Sequence, residues 1–266
     1  MNSESVKALQ KKLSQKINKA YDNYKITGEN LNHFFLKSII MHKLVATSWD
    51  PKIIGVTNGI SQIDLDRKSL LNEKGDNYKF YNFFNNFSFW HNQNESFDID
   101  YLPLKAKKLK KAILTDFMGY GPSIMAFTSV FSKNFYDLVK DFNIGQHKLF
   151  EVIIEDTSKN YYFIYLESIL NDKIIFEKSN IFTGHVKTDD YKSFKVTKYE
   201  EYLELNKVNP LIQFDKIAID KKYEIFDIIS LQSSTGLFFS EKLIKRMEQA
   251  NITGYTVKEN IKLEFY

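Results

Sequence analysis

Two stretches of the sequence share one pattern at an offset of 108 residues: FSKNFYDLVKDFNI at residues 131–144 and FSEKLIKRMEQANI at residues 239–252. Each begins with Phe-Ser, ends with Asn-Ile, and carries apolar residues at the spacing of one helix face. A serine at a helix start accepts backbone N–H groups that the first turn leaves free, so Ser132 and Ser240 are predicted N-caps. A glycine follows each stretch and suits a left-handed helix stop. We therefore predict two similarly placed Ser-capped helices on one sheet.

Strand-like segments surround these two predicted helices. Residues 149–155, 161–167, 223–231 and 261–265 are rich in β-branched and aromatic residues. A polar turn sequence separates the first two segments. Because helices and short strands follow one another irregularly, we predict an α+β fold with a mixed or antiparallel sheet.

The part of the chain before residue 112 has a different pattern. Apolar residues at helical spacing predict N-terminal helices over residues 3–24 and 30–42. Asn58-Gly59 lies between two apolar runs and predicts a two-residue β-hairpin. We interpret residues 1–111 as an N-terminal helical and hairpin region and residues 112–266 as an α+β domain. One continuous globular unit is the alternative.

Composition excludes several classes of protein. The chain has 266 residues, of which 43% are hydrophobic, so it can bury a sizeable core. It has no cysteine, which excludes a disulfide scaffold, a thiolate metal site and a cysteine nucleophile. Its start is polar, and its apolar runs are far shorter than a membrane-spanning helix. We expect a cytoplasmic protein with no membrane partner.

The positive charge of the chain is concentrated in two places. The net charge is +4, with 35 lysines and 2 arginines. Residues 1–45 carry +5, and Lys105, Lys107, Lys108, Lys110 and Lys111 form a cluster. Arginine is the preferred residue for base and phosphate contacts, so its scarcity disfavours nucleic acid as a partner. We interpret the cluster as a solvated face; the alternative is a patch for phosphate or an acidic partner.

Residues typical of catalysis or metal binding are scattered. His33 and His42 fall on nearly opposite faces of the predicted helix, so they cannot share a metal ion. His185 with Asp189 and Asp190 is a candidate loop metal site, but we interpret His185 as a surface histidine with its hydrogen bonds satisfied. Carboxylate pairs occur at three places: Asp64 with Asp66, Asp98 with Asp100, and Glu155 with Asp156. Such pairs serve acid–base chemistry or Mg²⁺ binding, but they are more common at solvated turns. We predict no catalytic, cofactor-binding or metal-binding residue.

One segment resembles a known family. The run STGLFFSEKL at residues 234–243, followed by NITG at residues 251–254, resembles the C-terminal signature of predicted immunity proteins from bacterial polymorphic toxin systems. The likeness covers roughly residues 117–266 and includes the helix start at residues 130–132. The signature is structural and transfers no catalytic residue. The resemblance implies a non-enzymatic protein, without a cofactor, that binds and neutralises a cognate toxin protein in the cytoplasm.

Two other functions stay open at this point. One is a carboxylate-dependent enzyme of unknown reaction class. The other is a nonspecific nucleic-acid binder that uses Lys105–Lys111, whose binding would depend steeply on salt. A toxin inhibitor that mimics nucleic acid should be strongly acidic, and the net charge of +4 disfavours that variant.

Overall fold

A computed structural model describes residues 41–57, 59, 61–185, 188 and 190–266. These residues contain 15 strands and six α-helices in two mixed sheets, which confirms the predicted α+β class. The predicted helix over residues 3–24 and residues 30–40 of the second one lie outside the described residues. His42, at the end of that second prediction, instead begins a strand. Residues 41–266 form one compact unit.

The first sheet has seven strands, in the spatial order β4-β6-β8-β7-β3-β2-β5. Their bounds are β2 Ile63–Leu65, β3 Leu104–Lys108, β4 Phe117–Met118, β5 Tyr120–Gly121, β6 Val130–Ser132, β7 His147–Ile154 and β8 Tyr161–Leu166. The helices that accompany it are α2 Arg67–Leu71, α3 Tyr78–Asn85 and α4 Lys133–Val139, with 3-10 turns at Phe87–His91 and Gln93–Phe97.

The second sheet has eight strands, in the spatial order β11-β10-β12-β15-β1-β14-β13-β9. Their bounds are β1 His42–Thr47, β9 Ser168–Ile169, β10 Asn180–Thr183, β11 Lys192–Phe194, β12 Gln213–Ile219, β13 Ile228–Leu231, β14 Leu237–Ser240 and β15 Tyr255–Phe265. The remaining helices are α1 Pro51–Ile54, α5 Tyr199–Val208 and α6 Glu241–Gln249, with 3-10 turns at Asn171–Lys173, Phe176–Lys178 and Lys221–Ile225.

The two sheets repeat one arrangement of six strands. The order β4-β6-β8-β7-β3-β2 in the first sheet matches β13-β14-β1-β15-β12-β10 in the second. In both sheets the fourth pairing is parallel and the other four are antiparallel. We call the first set copy 1 and the second set copy 2. Copy 2 is completed by β1, which precedes copy 1 in the chain.

The sequence repeat at residues 131–144 and 239–252 is therefore part of a larger structural repeat. The Ser132 side chain accepts a hydrogen bond from the Phe135 N–H at 3.1 Å, and the Ser240 side chain accepts one from the Leu243 N–H at 3.3 Å. Both predicted N-caps are confirmed. The single sheet expected beneath the two helices is wrong, because α4 follows a strand of the first sheet and α6 follows a strand of the second.

The core lies on both sides of each sheet. A shared cluster joins the two copies and contains Phe135 of α4 and Phe239 of β14, whose rings stack 6.0 Å apart. The outer side of the first sheet packs against the aromatic residues Phe80 and Phe84 of α3. The outer side of the second sheet packs against Tyr202 of α5. The two copies thus share their middle layer.

The hairpin predicted around Asn58-Gly59 is wrong. Pro51 suits the first position of a helix, and the Asp50 carboxylate accepts the Lys52 N–H at 2.9 Å, so α1 forms where the first hairpin strand was expected. Gly55 ends α1 with a φ of +76°. The other expected strand becomes β2, which pairs with β3 instead.

The expected domain boundary at residues 111 and 112 passes through the first sheet. Strand β3 precedes it, yet Leu104 and Ala106 of β3 pair with Val152 and Ile154 of β7. Within the described residues, strand pairing therefore crosses residues 111 and 112.

Candidate functional site

Two aspartates hold the copies together along a line that we call the seam. Asp227 accepts the Ser240 hydroxyl at 2.7 Å and the Asn143 N–H at 3.0 Å. Asp116, at the matching position of copy 1, accepts the Ser132 hydroxyl at 2.6 Å and the Thr253 N–H at 2.8 Å. Each carboxylate thus joins the N-cap of its own helix to the segment after the other helix.

A cavity of about 520 Å³ opens beside Asp227, and we call it the seam cleft. Its lining comes from the 3-10 turns of copy 1, the segment after α4, the link between the copies, and β13. The lining residues are Trp90, His91, Gln93, Asn94, Ile144, Gly145, Gln146, Leu166, Glu167, Ser168, Ile169, Leu170, Lys173, Tyr223, Phe226, Ile228, Ile229 and Ser230. The cleft therefore combines a floor of buried aliphatic residues, Gln93 and Ser168 with an exposed polar rim, and such a mixture is typical of binding sites.

The floor of the seam cleft is held rigidly by buried polar groups. The Gln93 side chain donates to the Ser168 carbonyl at 3.0 Å and accepts the Ser168 N–H at 2.7 Å, as a neighbouring strand would. The Ser168 hydroxyl lies 2.7 Å from the Ser230 hydroxyl across the two copies. Tyr165 donates to the Gln93 carbonyl at 3.1 Å, and burial raises the pKa of Tyr165 to about 12. These bonds preform the shape of the cleft.

The walls and rim of the seam cleft contain its aromatic and charged side chains. Trp90, Tyr223 and Phe226 contribute half-buried aromatic rings. Glu167 is exposed at the rim. Lys173, also at the rim, places its Nζ 2.9 Å from the Asp172 carboxylate. Aromatic rings beside a carboxylate suit a cationic or amphipathic group.

A second cavity of about 520 Å³ lies beside Asp116 and is mostly polar. Its lining includes Lys133 and Lys159. The Lys133 ammonium forms an ion pair with Asp137. The carboxylate of Asp116 is held by Ser132 and Thr253. Lys133 and Asp116 thus already have partners in the scaffold, and we take the seam cleft as the candidate site.

The lysine cluster lies on and after β3. Lys105 and Lys107 are exposed and alternate with the buried Leu104 and Ala106. The Lys107 Nζ lies 3.7 Å from the Glu155 carboxylate, and Asp64 pairs with Lys107 in the neighbouring strand. This mixture of charges supports the interpretation of a solvated sheet face.

Three of the acidic residues that the sequence singled out, Asp64, Asp66 and Asp190, have local partners. Asp66 caps α2 by accepting the Lys68 N–H at 3.0 Å, and Asp64 lies 3.2 Å from the Arg67 guanidinium. Asp190 accepts a hydrogen bond from the Thr188 hydroxyl, which lowers its pKa. Asp189, its expected partner at a metal site, lies outside the described residues. Among the residues that the structure describes, no three His, Asp or Glu side chains are grouped to hold a metal ion.

His42 is placed at the seam and not on a helix. As the first residue of β1, it is buried and its Nε2 lies 2.7 Å from the Phe226 carbonyl. Its ring contacts Phe265 with a centroid distance of 5.1 Å. His42 therefore helps fix the backbone of Phe226, which lines the seam cleft.

Sequence reasoning missed the seam cleft because its residues come from four separated stretches. The repeat at an offset of 108 residues was the available signal, because two similar units in one chain are expected to pack against each other. It did not identify the strand order, and so it did not show which segments would meet.

In the described part of the chain, no helix has the length and apolar content needed to cross a bilayer. Comparison with known proteins found no matching protein-family model and no curated protein of similar sequence.

Proposed function

We propose that this protein is a non-enzymatic immunity protein that binds and neutralises a cognate bacterial toxin in the cytoplasm. The observation that carries the proposal is the signature at residues 234–254, together with the way those residues are used. Leu243, Ile244 and Met247 of α6 are buried in the shared middle layer. Ser240 caps α6 and bonds Asp227. This use as scaffold agrees with a signature that carries no reactive group.

The seam cleft supports a binding role. Its floor is preorganised by hydrogen bonds between Gln93, Ser168 and Ser230, and preformed sites lose less entropy when a partner binds. Aromatic residues at the centre of an interface often dominate its affinity, and Trp90, Tyr223 and Phe226 line this cleft. A docking face of about 800 Å² around the cleft would suffice for a specific complex.

Co-expression with the product of a toxin-like reading frame next to the gene tests the proposal. We expect the protein to restore growth of the toxin-expressing cells and to co-purify with the toxin. Glu167→Lys, at the rim of the seam cleft, should weaken rescue. Glu177→Lys, on an exposed 3-10 turn outside the cleft, is the matched control and should rescue fully. Equal expression without rescue and without co-purification would contradict an immunity function.

A further inference from the structure

We propose that the seam cleft receives an arginine side chain presented by the protein partner. This inference rests on the proposed function, because it names the chemistry by which the toxin would be held.

The rings of the seam cleft suit a guanidinium group. Trp90, Tyr223 and Phe226 are half-buried and line the same cavity. A guanidinium is planar and weakly hydrated, so it stacks on aromatic faces at a smaller desolvation penalty than an ammonium. Because the Lys222 ammonium already lies 5.0 Å from the centroid of the Tyr223 ring, we assign the stacking of the guanidinium to Trp90 and Phe226.

The charge at the rim selects a cation. Glu167 contributes an exposed carboxylate. The rim lysine, Lys173, is neutralised by Asp172 at 2.9 Å. Glu167 would repel an acidic occupant. An apolar occupant would displace water from the Glu167 carboxylate and offer no hydrogen-bond donor in its place. An arginine satisfies both features, because it stacks on the rings and donates to Glu167.

The arginine comes from another molecule. The chain has two arginines, and both have other positions. Arg67 pairs with Asp64 at 3.2 Å, and Arg246 lies exposed on α6. Neither contributes to the lining of the seam cleft.

The opening of the seam cleft beside Glu167 does not follow from the repeated fold, because the matching position in copy 2 is filled. Ser48 of copy 2 occupies the place that Glu167 has in copy 1, and it is 2% exposed. Its N–H donates to the Gly254 carbonyl at 2.7 Å. Gly254 packs so closely that an added Cβ would lie 2.3 Å from the Phe117 carbonyl oxygen. The position after β1 in copy 2 is thus filled by packed backbone, whereas the matching position after β8 in copy 1 borders the seam cleft.

Peptide titration of the full chain tests the inference without the toxin. The protein has two tryptophans, so Trp49→Phe, at a 60% exposed position, leaves Trp90 as the fluorescent reporter. The probes are acetyl-Gly-Arg-Gly-amide and its citrulline, lysine and leucine analogues. We expect saturable binding of the arginine peptide and about tenfold weaker binding of the citrulline peptide, which has the same shape without the charge.

Two further variants locate the contact. Glu167→Gln should weaken the arginine peptide about tenfold, and Glu177→Gln should leave its affinity within about twofold. Equal binding of the citrulline peptide, tighter binding of the leucine peptide, no saturable binding of any peptide, or an unchanged affinity in Glu167→Gln would each overturn the inference. Arginine binding without toxin rescue would refute the immunity function alone, and rescue without arginine binding would refute this inference alone.

Discussion

Replacing Ser240 with alanine removes two hydrogen bonds at the seam. The hydroxyl accepts the Leu243 N–H at 3.3 Å and donates to the Asp227 carboxylate at 2.7 Å. Loss of a serine N-cap lowers the free energy of unfolding by about 1 kcal/mol. Asp227 is 2% exposed, and although its carboxylate keeps the Lys242 ammonium at 3.0 Å, loss of a hydrogen bond to a buried charged group costs about 1–3 kcal/mol more. Ser240→Ala should therefore destabilise the protein by about 2–4 kcal/mol.

Ser132→Ala is the matched comparison, because the same two bonds occur in copy 1. Ser132 accepts the Phe135 N–H at 3.1 Å and donates to Asp116 at 2.6 Å. Asp116 is only partly buried, so water can replace the lost hydroxyl. We expect a loss of about 1–2 kcal/mol, which is smaller than the loss in Ser240→Ala.

Urea unfolding followed by circular dichroism and by tryptophan fluorescence measures both variants against the unmodified chain. The order of the two losses is the informative result. If Ser132→Ala were as destabilising as Ser240→Ala, burial of the aspartate would not control the strength of the seam, and the reasoning would be refuted.

Three further predictions concern backbone, core and pH. Gly254→Ala should cost more than about 2 kcal/mol in a urea titration, because φ is +85° and a Cβ has no room, whereas Gly59→Ala, at φ +80° in open space, should cost about 1 kcal/mol. Phe239→Ala should lower the free energy of unfolding by about 3–5 kcal/mol; a loss below 1 kcal/mol in the same titration would contradict the shared core. Burial raises the pKa of Tyr161 and of Tyr165 to about 12, so their contribution to stability should be complete below about pH 10 and disappear as pH rises to about 12. A urea midpoint that stays constant across that range would refute this.

The local features of the fold were readable from the sequence. The Phe-Ser starts predicted the caps of α4 and α6, and the β-branched and aromatic residues at positions 161–167 predicted β8. Each depends on neighbouring residues, so a short window contains the information. The failure at Asn58-Gly59 has the same origin, because the turn signal there was outweighed by Asp50 and Pro51, which start α1 a few residues earlier.

The order of the strands in the two sheets could not be predicted from short sequence windows. Strand β1 lies between β14 and β15, whose residues follow it by roughly 190 positions or more. Side-chain periodicity identifies a strand but not its neighbours, so the two-copy topology and the seam cleft had no local signal. The repeat at residues 131–144 and 239–252 was the one sequence feature that pointed beyond its own neighbourhood.

The position of β1 has a consequence for biosynthesis. This strand leaves the ribosome long before the two strands that will enclose it, and at translation speeds of about 5–20 residues per second the delay is on the order of ten seconds or more. During that interval all six strands of copy 1 have been synthesised, whereas the apolar residues Leu44 and Val45 of β1 lack the strands that bury them in the folded protein. Nascent chains should therefore recruit a holding chaperone to this early strand and release it when residues 237–265 emerge.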